Sequence, residues 1–171
     1  MTLRPGRTVR RLKRPYTRVS KIKPRLSYVV GVPYTKIHIF EMGNRNKQFD
    51  TILWLIADHA IQIRDNALEA ARVVATKLLE RVLNPDNFFM KVLVFPHQIL
   101  REHSMATGAG ADRFSSGMRH SFGKPSGRAV QIRKNQEIFM LKVNKKDLEV
   151  AKKALKRAHL KLPTPCKIRI E

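Results

Sequence analysis

The sequence predicts an α+β domain in which two helices pack on a mixed sheet. Three observations carry that expectation. Two stretches space their apolar residues alternately by three and four, as a helix with one buried face requires. Six shorter runs are either continuously apolar or alternate apolar with polar, as strands do. The order is β-β-α-β, a long insertion, then β-β-α-β again, without a sequence repeat between the halves.

The elements arise from local chemistry. Lys36 to Met42 alternates like a half-buried strand and is stopped by Gly43-Asn44, and Thr51 to Asp58 is a more fully apolar strand holding Trp54, expected in the core. Arg64 to Glu69 opens the first helix, with Asn66 and Glu69 spaced as a capping box. Leu68, Ala71, Ala75, Leu78 and Val82 form its inner stripe, and Asn84-Pro85-Asp86 ends it. Phe88 to Phe95 is the next strand, stopped by Pro96. Beyond the insertion, strands are expected at 129–133 and 137–143, joined by a tight turn at Lys134-Asn135-Gln136. Asn144 then caps a second helix whose inner face is Leu148, Ala151, Leu155 and Ala158 and whose outer face is basic. Cys166 to Ile170 is the last strand, after Pro163 and Pro165.

The 171 residues fit one domain, at 36–171, preceded by an arm at 1–35. A hydrophobic content of 43% supplies an ordinary core, but 35 Lys and Arg stand against 13 Asp and Glu, a net charge of +22. Such self-repulsion opposes compaction unless a polyanion neutralises it, and nucleic acid is the usual polyanion. The charge concentrates in the arm. Arg4, Arg7, Arg10, Arg11, Lys13, Arg14, Arg18, Lys21, Lys23 and Arg25 precede the first acid, Glu41, while Pro5, Pro15 and Pro24 forbid a helix. These ten are the candidate phosphate contacts, in an extended arm that takes its shape from RNA. A membrane partner is excluded by the lack of a long apolar run or a basic amphipathic anchor. The single cysteine, Cys166, excludes an internal disulfide and a thiolate metal cluster.

Residues 103–129 hold five of the eight glycines and few side chains able to enter a core. Ordering a backbone costs roughly 1–2 kcal/mol per residue, so a free chain gains little by fixing a stretch of this length. A glycine-rich insertion at about 101–128 is therefore expected to gain its order from a partner. Enzymatic patterns fail in it. Gly108 to Arg113 begins like a dinucleotide fingerprint but has Arg113 at the third glycine, and Gly117 to Pro125 misses a phosphate-binding loop in spacing and in its last residue. Ser115, Ser116 and His120 lack a framing elbow, and His97, His103 and His120 lack metal-ligand spacing. No cofactor, metal or catalytic residue is expected. The competing reading is a tRNA-processing enzyme, which would need a base or nucleophile in a pocket. Arg113, Arg119, Lys124 and Arg128 supply charge to a loop whose glycines let backbone N–H groups approach phosphates. Arg64 and Arg72 are expected to add contacts on the solvent side of the first helix.

Three long runs together resemble one family: Gln62 to Arg72, Val94 to Arg101, and Met105 to Arg113 continuing through Phe122-Gly-Lys-Pro125. It is the large-subunit ribosomal protein family L-ten-e of archaea and eukaryotes, counterpart of bacterial L-sixteen, and the opening arm looks archaeal. The resemblance covers nearly the whole chain. It implies an α+β fold with a hammerhead-like β motif and binding to large-subunit rRNA beneath the central protuberance, near the aminoacyl-tRNA site. It further implies a cytoplasmic, ribosome-bound, non-catalytic protein among neighbouring ribosomal proteins, with no membrane and no homo-oligomer. The family's glycine-rich loop points toward the acceptor ends of bound tRNAs, in the A site and the P site. Carried over, that loop comprises Arg101, His103, Met105, Thr107, Gly108, Gly110, Asp112 and Arg113.

Overall fold

Apolar residues at every second position commit a strand to one buried face, and this pattern builds the larger of two sheets. A computed structural model describes residues 3–13, 22–23, 29–106 and 108–171. Its first five-stranded sheet contains β1 (Glu41–Gly43), β2 (Thr51–Ala57), β4 (Phe88–Val92), β7 (Glu137–Val143) and β8 (Cys166–Ile170), and its second contains β3 (Ile61–Arg64), β5 (Gln98–Glu102) and β6 (Lys124–Ile132). The orders are β1-β4-β7-β2-β8 and β3-β6-β5, and every pairing is antiparallel. The α+β class and both helices are as expected. The strands, however, form two antiparallel sheets in place of one mixed sheet, because no two hydrogen-bonded strands are joined by the crossover that a parallel pair needs.

Helices α1 (Asp65–Val82) and α2 (Leu148–His159) pack on each other and cover one face of the five-stranded sheet. Their buried stripes are Leu68, Ala71, Ala75 and Leu79 on α1, and Ala151, Ala154, Leu155 and Ala158 on α2. Small alanines let the two axes approach, while leucines fill the space toward the sheet, each full burial contributing about 1.5–3 kcal/mol. The α1 stripe is rotated from the expected one: Leu79 and Thr76 are buried and Val82 is exposed. The expected capping box is also absent. Glu69 pairs instead with Arg72, and the Asp65 carboxylate holds the helix start by accepting the N–H groups of Asn66 (2.8 Å) and Lys36 (2.9 Å). Asn144 likewise makes no side-chain cap, since a short 3₁₀ turn at 145–147 leads into α2.

Trp54 is not in the core. It sits on the open face of the five-stranded sheet in a row with Glu41, Lys91, Met140 and Arg169, each opposite the next in register. The Arg169 guanidinium lies 5.8 Å from the Trp54 ring centroid. Several charges of this face pair with one another: Lys91 with Glu41, Lys167 with Asp58, and Arg169 with Glu137 and Glu171. Hydrogen bonds from Lys91 and Lys167, chiefly, hold the Glu41 and Asp58 carboxyls below their ordinary pKa.

Three further differences concern the strands. Residues 37–40, expected as strand, pair only at their C-terminal end, where β1 begins at Glu41, although Ile37 is fully buried. The strands β3 and β5 were not expected. Strand β6 starts at Lys124, so the irregular stretch shrinks to 103–123.

Candidate nucleic-acid interface

Residues 3–13 lie against the three-stranded sheet, and backbone carbonyls make the attachment. The Gln62 backbone N–H donates to Arg10 O (2.9 Å) and its side-chain Nε2 to Val9 O (2.9 Å). Gln131 Nε2 donates to Lys13 O (2.8 Å) and Arg64 Nη1 to Arg4 O (2.7 Å). Gln62 and Gln131 are register partners on β3 and β6, so the two amides form one polar strip, joined by a 3.2 Å hydrogen bond. Held by its carbonyls, the segment turns its side chains outward. Arg7, Arg10, Arg11 and Lys13 are all exposed, and none forms an ion pair among the described residues. Arg4 is the exception, since its Nε meets the Glu102 carboxylate of β5. Lys23 is exposed, while Arg14, Arg18, Lys21 and Arg25 lie outside the described residues.

The other expected contacts separate into two groups. Arg64 is half-buried and serves as a brace for the arm, as Arg128 does for another segment by donating to Pro33 O (2.9 Å). Arg72 does not face solvent as expected: its side chain is 12% exposed, forms a bidentate pair with Glu69, and donates to Met42 Sδ (3.3 Å). The Glu69 hydrogen bond raises its pKa and fixes the charge inside the structure. Arg119 and Lys124 are exposed.

The glycine-rich stretch is closed at its base. His103 Nε2 shares a 2.7 Å hydrogen bond with Gly117 O, tying the start of the stretch to a residue well inside it. Gly123 packs on the end of β5, where an added Cβ would lie 2.7 Å from Glu102 C and 2.9 Å from His103 N. Between these clamps the backbone runs through turns and one 3₁₀ turn at Ala111–Arg113 that carries Asp112 and Arg113. Gly108 and Gly110 hold φ of 121° and 75°, conformations that a side chain disfavours. Arg101 stacks over Phe122 at 4.1 Å from the centroid, and Met105 is 39% exposed. Thr107 lies outside the described residues. Phe114, Met118 and Phe122 are 87%, 67% and 70% exposed, so these apolar side chains lie outside the core.

Chemically, this surface can neutralise and cradle anions. Among the described residues no group of three His, Cys, Asp or Glu is placed to hold a metal ion. Cys166 has its thiol pushed up to about 11 by burial, aided by the nearby Asp58 charge, which keeps it protonated and poorly nucleophilic at neutral pH. No described helix is long and apolar enough to cross a membrane. Sequence reasoning missed Gln62, Gln131 and Glu102, the residues that seat the arm.

The family model for ribosomal protein L16p/L10e matches residues 12–169. The chain belongs to the L16p/L10e family of ribosomal proteins. The L16p/L10e relatives include the large ribosomal subunit protein uL16 of Archaeoglobus fulgidus, 49% identical over 171 residues, all of this chain and 94% of that one. The uL16 proteins of Thermofilum pendens and Caldivirga maquilingensis are 45% and 44% identical, covering 98% and 95% of their own lengths. The similarity thus spans both the folded sheets and the L16p/L10e arm and glycine-rich stretch.

Proposed function

We propose that this chain is a structural constituent of the large ribosomal subunit in the cytoplasm, binding large-subunit rRNA through the arm and the glycine-rich stretch. The observation that carries the reading is the arm's attachment: its carbonyls are tied to Gln62, Arg64 and Gln131, and four cations are left turned outward. A solvated tail has no need of such seating, whereas a phosphate-binding strip gains from cations fixed in register. In this reading the arm, 1–35, is docked on the domain, 36–171, and the two make different contacts with RNA. The second part presents the loop from Arg101 to Arg113 toward aminoacyl-tRNA, beside neighbouring ribosomal proteins. The reacting groups of peptide transfer then belong to RNA, and the protein supports their surroundings.

Sedimentation of a lysate containing the tagged chain tests this. The chain is expected to travel with the large subunit and to stay there through a high-salt wash. Release into the soluble fractions at modest salt, or travel with free tRNA alone, contradicts the reading.

A further inference from the structure

A cleft of about 590 Å³ opens between the β5–β6 pair and the glycine-rich stretch, lined in part by Glu102, His103, Arg119, His120, Phe122 and Lys124. Its size falls within the range of about 300–1,000 Å³ typical of small-ligand sites. Its charge is cationic in effect, because Glu102, the one carboxylate in the lining, is already paired with Arg4. Arg119 and Lys124 are exposed and make no ion pair among the described residues. His120, held at φ 53°, adds an exposed imidazole. Beside these groups stands Phe122, with Arg101 over its ring and 70% of the residue open to water.

Cations alone would suit the outside of an RNA duplex, whose bases are stacked on one another and offer nothing to an aromatic ring. An exposed ring beside two cations in a concave site suits a base that has left its stack, since every base has a π-face and carries a phosphate with it. Arg101 above the same ring adds a cation that polarises the stack.

We propose that this cleft receives one unpaired nucleotide of RNA, with the base stacked on Phe122 and a phosphate between Arg119 and Lys124. The proposal rests on the RNA-binding reading above and narrows it from phosphate contact to capture of a single-stranded residue. The nucleotide can come from an rRNA loop or from the 3′ end of a tRNA, and the shared chemistry is the same.

The test compares the full chain with Phe122→Leu, which keeps apolar bulk but loses the ring, and with a double variant, Arg119→Ala and Lys124→Ala. Fluorescence anisotropy is read against a labelled single-stranded hexaribonucleotide and a 16-base-pair RNA duplex. Phe122→Leu is expected to weaken single-strand binding about tenfold or more and to leave the duplex affinity unchanged. The double variant is expected to reduce the single-strand salt slope by about one. Equal affinities of wild type and Phe122→Leu, or equal losses on both RNAs, overturn the proposal. Failure of the wider reading looks different: the wild-type chain then binds neither RNA. Base-reactivity probing of large subunits carrying Phe122→Leu identifies the source. Newly reactive rRNA bases point to an rRNA loop, and newly reactive 3′ bases of bound tRNA point to tRNA. A pattern identical to wild type overturns the proposal.

Discussion

Replacing Arg7, Arg10, Arg11 and Lys13 together by alanine is expected to lower affinity for structured RNA by about a hundred- to a thousandfold near 0.1 M salt. The four side chains are exposed and touch no carboxylate among the described residues, so their contribution lies in the complex and not in the fold. Each phosphate neutralised releases counterion and adds roughly 0.9 to the slope of log affinity against log salt. Removing four such contacts should flatten that slope by about three to four. Stability should hardly move, because surface substitutions of this kind stay within about 0.5 kcal/mol. Titration of a large-subunit rRNA fragment at several salt concentrations, with a urea melt of each protein, reads both quantities. An unchanged slope would mean that the arm does not bind phosphates.

Gly43→Ala is expected to destabilise the fold by about 3–5 kcal/mol, at the upper end of single substitutions. Gly43 holds φ 86°, where a side chain is strained, and a Cβ there would lie 2.1 Å from Phe88 O across the β1–β4 pair. The Phe88 carbonyl cannot simply move, since it accepts the Asn44 N–H (3.0 Å) and Phe88 itself is 1% exposed. Displacing β1 also shifts Met42, whose Sδ receives Arg72 (3.3 Å) and Thr76 (3.7 Å). The loss therefore reaches α1 as well as the sheet edge. Chemical denaturation by urea measures it. A change under about 1 kcal/mol would show that the edge can relax.

The sequence made some elements plain for reasons visible in their residues. The strands β7 and β8 match their expected limits because each apolar run is bounded by turn formers, with Asn135 at φ 62° making the turn before β7. The face of α2 was legible because its cations and alanines segregate at helical spacing. The three-stranded sheet was hidden. Strand β5 reads Gln-Ile-Leu-Arg-Glu, without clean alternation, and its register shifts between Leu100 and Arg101. The first half of β6 contains Pro125 and Gly127, which normally argue against a strand. They are tolerated because β3 pairs only with 129–132, so at Pro125 the strand has a neighbour on one side alone. With β3 and β5 unseen, nothing could point to Gln62 and Gln131 as the strip that seats the arm. Trp54 and Arg72 were misplaced for a related reason. Periodicity tells which residues share a face, but not which face a second layer will cover.

Ultraviolet crosslinking of protein to RNA in purified large subunits, with the linked peptides mapped by mass spectrometry, tests the division of the molecule into an RNA-facing side and a charge-balanced side. Links are expected within residues 3–25 and 101–128, and none on the open sheet face bearing Trp54, Met140 and Arg169. Strong linkage through Trp54 and its neighbours, with the arm and the glycine-rich stretch unlinked, would contradict the account.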